Sequence, residues 1–152
     1  MHSTATLPRV SDRASALIGT WKLKSFHFRA GNGEVTFPFG REAVGYYLFS
    51  PSGHMSVVVM APDRPAFAGG DLMAGTPAEK ASAAETYISY TGRYEVDGDR
   101  LIVHPEAALF PNWSGVDQVR LMSLDDDVLD LSTPPMLLAG RQRTAHLVWK
   151  RV

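Results

Sequence analysis

Tight-turn sequences recur along this chain and constrain its fold more than any other feature. Asn32-Gly33, Pro51-Ser52-Gly53, Asp97-Gly98 and the aspartates at 125–127 each separate two stretches rich in aliphatic and aromatic residues. Asn-Gly and Asp-Gly favour the short turns that join antiparallel strands. About nine strands are therefore predicted, over residues 19–30, 34–37, 44–50, 54–60, 87–96, 100–104, 116–124, 128–133 and 143–151.

A single helix is predicted after the long segment 61–75. Thr76 suits the N-cap, Pro77 the first helical position and Glu79 the third position of a capping box. Strands and helices do not alternate, so a parallel sheet is not expected. The sequence predicts an all-β fold, an antiparallel up-and-down β-barrel of about 8–10 strands with one short helix, because closure removes exposed edges. Residues 1–16 are predicted to be a flexible N-terminal tail, and 17–152 a single barrel domain.

Charge and composition exclude several classes of function. The net charge of -1 leaves no basic stripe for nucleic acid. No window approaches the roughly 18 apolar residues of a membrane span. The chain has no cysteine, and its first sixteen residues lack the apolar run of a signal peptide. We therefore expect a cytoplasmic protein, monomeric or homodimeric, that binds neither nucleic acid nor membranes.

Four segments carry a family resemblance. They are LIGTWKL at 17–23, YTGRY at 90–94, LFPNW at 109–113 and LVWKR at 147–151. With them, residues 17–152 resemble the lipocalin-like domain family of bacteria and fungi. The resemblance implies a closed barrel with an internal cavity. It also implies one of two activities: binding of a small molecule, or cofactor-free catalysis in a natural-product pathway.

Turn lengths predict which side chains face the cavity. A two-residue turn at Asn32-Gly33 would place Phe26 and Phe28 inside with Val35 and Phe37. Trp21 has the opposite parity, so a bulge is predicted near Lys24-Ser25. Tyr90 and Tyr94 alternate inward on their strand. The hairpin over residues 44–60 has two apolar faces, and the pattern does not choose between them.

Arg120 is the most informative side chain in this pattern. Pairing Leu124 with Leu129 places Gln118, Arg120 and Met122 on the apolar face of their hairpin. A guanidinium cannot shed its charge, so inside the barrel it needs a partner or water. The partner could be an internal carboxylate or backbone carbonyls. It could instead be an anionic or carbonyl-bearing ligand.

Two functions follow. The first is binding of a hydrophobic organic molecule in the cavity. The predicted contacts are Phe26, Phe28, Tyr46, Tyr90, Tyr94, Trp113, Gln118, Arg120 and Met122. The alternative is a cofactor-independent isomerase or cyclase acting on a polyketide- or terpenoid-like intermediate, with Arg120, Tyr94 and His54 as catalytic candidates. No cofactor or metal is expected, because the histidines show no metal-binding spacing.

The ends of the barrel are predicted to differ. Alternate connections of a meander lie at the same end, which collects the tight turns at one end and the long apolar loops at the other. By this count Trp21 lies at the long-loop end. Arg143, at the start of the last strand, is its predicted basic partner.

Overall fold

The computed structural model describes residues 12–152; residues 1–11 of the predicted tail lie outside the described part. Two α-helices are present in it, α1 (Asp12–Leu17) and α2 (Pro77–Glu85). The strands are β1 (Gly19–Ala30), β2 (Val35–Thr36), β3 (Val44–Phe49), β4 (His54–Met60), β5 (Tyr87–Asp97), β6 (Arg100–Ala108), β7 (Gln118–Asp125), β8 (Val128–Ser132), β9 (Met136–Leu138) and β10 (Arg141–Arg151). A 3-10 helix, Pro111–Trp113, precedes β7.

The strands close into an antiparallel barrel, as predicted. Eight of them form the ring β1-β3-β4-β5-β6-β7-β8-β10, which the pairing of β1 with β10 completes. The short strands β2 and β9 extend the sheet beside β1 and β10. Inward residues of this ring form the core, and closure leaves its main strands without free edges.

The first hairpin departs from the predicted register by one residue. The turn has three residues, Gly31 to Gly33, because Ala30 pairs with Glu34 and Gly33 takes a φ of +89°. Val35 consequently lies opposite Arg29 on the outer face, and not inside with Phe28. The predicted bulge is present, since the pairing of β1 with β10 shifts between Leu23 and Ser25.

Trp21 lies at the end of the barrel opposite to the predicted one. β2 has only two residues, so residues 31–43 form one connection at a single end. The sequence analysis treated residues 34–37 in this segment as a strand that crosses the barrel. That extra crossing placed Trp21 at the wrong end. Gly19 pairs with Phe49, beside the turn at 51–53. The tight turns at 51–53, 97–99 and 125–127 therefore surround Trp21, and the turn at 31–33 lies with the long loops at the other end.

Helix α1 closes the Trp21 end. The flexible tail was predicted to extend to residue 16. Residues 12–16 instead belong to helix α1, in which Ala14 and Leu17 are buried. The Trp21 indole donates from Nε1 to the Leu17 carbonyl at 2.8 Å. Arg151 stacks over the indole at 4.2 Å and donates to the Ile18 carbonyl at 3.1 Å.

Arg143, the predicted partner of Trp21, lies at the other end. There it donates to the carbonyls of Leu138, the last residue of β9, and of Ala139, in the connection between β9 and β10. The error has the same origin as the exchange of ends, because β10 starts at the long-loop end and finishes beside Trp21.

Helix α2 is hydrogen-bonded to the segment 61–75 that precedes it. The predicted capping box is present: the Thr76 side chain accepts from the Glu79 backbone, and Glu79 accepts from the Thr76 backbone. The same carboxylate accepts from the Ala68 amide at 2.8 Å. Arg64 donates to the Ala83 carbonyl near the end of the helix at 3.0 Å. No helix within residues 12–152 has the length and apolarity needed to cross a membrane.

Candidate functional site

The barrel encloses a cavity that opens among the long loops. Its volume is about 630 Å³ when the open solvent at its mouth is included. The mouth lies beside Trp113 of the 3-10 helix and Met136 and Leu138 of β9. The residues within 12–152 that line it are Phe26, Phe28, Tyr47, Val57, Val59, Ile88, Tyr90, Trp113, Arg120, Leu131, Thr133, Met136, Leu138, Ala145, Leu147 and Trp149.

Aromatic rings pack edge to face around this cavity. Phe26 lies 5.5 Å from Phe28, and Tyr90 lies 5.4 Å from Trp113, with the ring planes nearly perpendicular in both pairs. Such walls offer faces and edges to a planar ligand. Thr133 adds a hydroxyl that accepts from the Ala145 amide at 2.9 Å and keeps its own proton to donate.

Arg120 places a positive charge in this apolar space. Only 7% of the residue is exposed. Its guanidinium donates to the Val119 carbonyl at 3.0 Å and, at 3.5 Å, to the Tyr90 hydroxyl. None of the ion pairs formed within residues 12–152 includes Arg120. Of the partners considered from the sequence, a backbone carbonyl is present; the Tyr90 hydroxyl is a partner that the sequence analysis did not consider. A carboxylate to neutralise the charge is not among the described contacts.

Two further polar atoms in the lining have no hydrogen-bond partner among residues 12–152. They are the Tyr47 hydroxyl and the Trp149 Nε1, in residues that are 2% and 1% exposed. The two rings meet edge to face at 5.4 Å. Burial raises the pKa of Tyr47 well above its ordinary value, Tyr90 adds to the rise, and Arg120 opposes it. A buried unpaired polar group costs about 1–3 kcal/mol, which makes both atoms candidates for ligand contacts.

The structure brings together five of the predicted ligand contacts: Phe26, Phe28, Tyr90, Trp113 and Arg120. Tyr46 was predicted to contact the ligand but does not line the cavity. The three-residue turn at 51–53 pairs Tyr46 with Val58 on the outer wall, and it is 43% exposed. His54, predicted as a catalytic candidate, does not line the cavity either. It lies outside the barrel at the Trp21 end, where its ring is hydrogen-bonded to the Ser52 hydroxyl at 2.9 Å.

Three other predicted residues are buried but do not line the cavity. Tyr94 lies nearer the closed end, where it packs on Phe49 at 5.0 Å and donates to the Ser50 carbonyl at 3.4 Å. Gln118 donates to the Val116 carbonyl at 3.1 Å. Met122 belongs to the core cluster. The alternation put these side chains on the correct face but carried no information about depth along the barrel.

Sequence reasoning missed Tyr47 and Trp149. Gly53 has a φ of +84°, and a three-residue turn ending in that glycine would have paired Tyr47 with Val57. Trp149 was recoverable from the last strand, because Leu147 and Trp149 alternate with His146 and Lys150. The turn at Gly53 and the alternation in β10 place these side chains in the cavity only once the pairing with the neighbouring strand is known.

The comparison with families of known proteins agrees with this architecture. The family model described as a lipocalin-like domain matches residues 18–152. The chain belongs to this family. One relative of this lipocalin-like domain, the 4′-hydroxy-3′-methoxypropiophenone carrier protein of Aspergillus oryzae, is 33% identical over 107 residues, 64% of this chain and 96% of the relative. An uncharacterized protein from Bacteroides eggerthii has a solved structure that matches 90% of this chain and 99% of its own, with 14% identity and a TM-score of 0.44.

Outside the cavity, His104 joins two strands of the lipocalin-like domain to the loop before β7. Its Nδ1 lies 2.7 Å from Asp117 and its Nε2 lies 3.2 Å from Glu95. The hydrogen bond to Asp117 and then that to Glu95 raise the pKa of His104. His27 and His146, stacked at 5.0 Å on the outer face, behave oppositely, because burial lowers the pKa of each.

The His104 contacts predict a pH-dependent contribution to stability. A histidine whose pKa is raised by folding stabilises fully below its unfolded pKa of about 6.5, and the contribution is lost as pH rises through the folded pKa. The free energy of unfolding lost in His104→Gln should therefore be largest below about pH 6.5 and shrink at higher pH. Urea unfolding of both proteins from about pH 5.5 to about pH 9 measures it.

His27→Gln is the matched control, because its contribution has the opposite sign. Its lowered pKa means that any stabilisation by neutral His27 is present above about pH 6.5 and is lost as pH falls. If the free energy of unfolding lost in His104→Gln did not change with pH, or grew with rising pH, charged His104 would not be stabilised by Asp117 and Glu95.

Proposed function

We propose that this lipocalin-like domain is a carrier that holds a small aromatic molecule with oxygen substituents in its barrel cavity. The observation that carries the proposal is Arg120, a buried guanidinium in an apolar cavity with no carboxylate paired to it among the described residues. A charge kept there without a ligand is a cost to stability. The name of the Aspergillus oryzae relative, which describes carriage of a phenolic aryl ketone, supports the same class of ligand.

The lining suits such a molecule in shape and chemistry. The rings of Phe26, Phe28 and Trp113 would contact the ligand's aromatic face, and aliphatic walls would surround its short side chain. Arg120 would donate to a ligand oxygen, and so would Tyr47 or Trp149, whose polar atoms are otherwise unpaired. Pathways that build aromatic natural products are the setting we propose for this carrier.

The cavity favours carriage over the alternative of an isomerase or cyclase. The described lining contains no histidine, aspartate or glutamate, the residues that most often move protons. Of the catalytic candidates, His54 lies outside the barrel and Tyr94 below the cavity, so Arg120 has neither proposed partner beside it.

Binding can be tested with 4′-hydroxy-3′-methoxypropiophenone itself. Trp113 and Trp149 line the cavity, so we expect the ligand to quench tryptophan fluorescence with a saturable, one-to-one titration. Ala145→Leu adds carbon atoms to the cavity wall and should weaken binding at least about tenfold, which corresponds to 1.4 kcal/mol. Ala107→Leu makes the same change on an exposed position of β6 and should leave the affinity unchanged.

The two leucine variants decide between cavity binding and surface adsorption. Equal loss of affinity in both variants, or unchanged affinity in Ala145→Leu, would show that the ligand does not occupy the barrel. No saturable binding of this aryl ketone by the wild-type protein would refute the proposed ligand class.

A further inference from the structure

The polar atoms of the cavity come from opposite walls. In the barrel ring, β3 carries Tyr47 and β7 carries Arg120, with three strands between them on either side. Trp149 lies on β10, which is separated from β3 only by β1. Arg120 nevertheless lies close enough to act on the pKa of Tyr47. The guanidinium, the hydroxyl and the indole N–H therefore share one small lumen.

These groups supply hydrogen atoms and positive charge. Guanidinium and indole N–H groups donate only. The Tyr90 hydroxyl accepts from Arg120, which leaves its own proton free to donate. Burial raises the pKa of Tyr47, so that hydroxyl keeps its proton at neutral pH. No carboxylate or imidazole is among the described lining residues to balance this excess of donors. A ligand oxygen that carries negative charge is the group that complements it.

We propose that the cavity binds its ligand as an oxyanion, namely an acyl phenol ionised at the phenol oxygen, with the charge shared through the ring with the carbonyl oxygen. The inference rests on the proposed carrier function and specifies the ionisation state of its cargo. A delocalised phenolate fits this cavity because its weak hydration lowers the cost of burial, while the buried Arg120 provides the counter-charge in a medium of low dielectric constant.

The ionisation balances without any group in the cavity acting as a base. The phenol O–H bond breaks, its electron pair stays on the phenol oxygen, and the proton goes to water or buffer. Below the ligand's own pKa, binding should therefore release about one proton per ligand bound. Titration calorimetry in two buffers of different ionisation enthalpy measures that number directly.

The optical experiment compares two probes on wild-type protein. The first is 4′-hydroxy-3′-methoxypropiophenone, whose phenolate absorbs at longer wavelength than the neutral phenol. The second is 3′,4′-dimethoxypropiophenone, which has the same ring and carbonyl but cannot ionise. We expect the bound phenol to show the phenolate spectrum at a pH where the free phenol is neutral. We expect the dimethoxy compound to bind at least about tenfold more weakly.

Arg120→Gln is the variant that tests the counter-charge. It keeps hydrogen-bond donors but removes the charge, so the phenolate spectrum and the proton release should disappear while the dimethoxy compound still binds. A cooperative urea unfolding transition shows independently that the variant is folded.

The outcomes separate this inference from the carrier function. Tight binding of both probes, with the neutral-phenol spectrum and no proton release, overturns the oxyanion and leaves the carrier intact. A phenolate spectrum that persists in Arg120→Gln overturns the role of Arg120 as counter-charge. Failure of both probes to bind wild-type protein overturns both proposals.

Discussion

Replacing Arg120 by methionine is expected to stabilise the protein while it destroys ligand binding. Arg120 is 7% exposed and has no ion-pair partner within the described residues. Replacing a buried ion pair by apolar side chains of similar volume is often neutral or stabilising by about 1–4 kcal/mol, and Arg120 lacks even the opposite charge that offsets burial in such a pair, among the described residues. The two hydrogen bonds of the guanidinium oppose this gain, so we expect the free energy of unfolding to rise by about 1–3 kcal/mol. Affinity for the acyl phenol should fall at least about a hundredfold, since a charged contact is lost.

The measurement pairs urea unfolding with fluorescence titration on the same samples. Arg93→Met is the matched control, because Arg93 is exposed on the outer face of β5 and should change stability by less than about 0.5 kcal/mol. A loss of stability in Arg120→Met would show that Arg120 is a structural residue satisfied by the fold. A gain of stability with unchanged affinity would remove Arg120 from the binding site.

Arg120 was predictable from the sequence because its position depends on one local decision. The aspartates at 125–127 form a short turn, and pairing Leu124 with Leu129 then fixes the face of every residue in the hairpin. Tyr47 was not predictable in the same way. Both faces of β3 and β4 carry apolar side chains, so the one-residue change between two-residue and three-residue turns decides which tyrosine enters the barrel. That change is set by Gly53, whose positive φ the sequence permits but does not require.

The two ends of the barrel show a different limit of sequence reasoning. The sequence around Asn32-Gly33 indicated a turn between two strands, but it did not show that the turn has three residues or that β2 stops after two. Whether a hairpin crosses the barrel or stays at its mouth depends on how β1 pairs with β10 and β3, which are distant in sequence. The fold class was robust to this error because closure depends on the long strands. The assignment of Trp21 and its arginine partner was not.

Trp21 lies away from the cavity, so the residues that hold the barrel closed differ from those proposed to bind the ligand. Trp21 is fully buried between α1 and Arg151, away from the cavity lining. Trp113 stands at the cavity mouth beside Tyr90 and is only partly buried. Truncation of Trp21 should therefore lower mainly the stability, and truncation of Trp113 mainly the ligand affinity.

Trp21→Ala is expected to lower the free energy of unfolding by about 3–5 kcal/mol, the range for truncating a fully buried aromatic residue. The loss combines the vacated volume with the stacking of Arg151 and the hydrogen bond to Leu17. Trp113→Ala should cost much less stability but weaken ligand binding, because its ring lines the mouth. Urea unfolding gives the stability of each variant, and ligand titration under conditions where both variants are folded gives their affinities. If Trp21→Ala reduced affinity as strongly as Trp113→Ala, while still folded, the closed end would be coupled to the cavity and the two ends would not act independently.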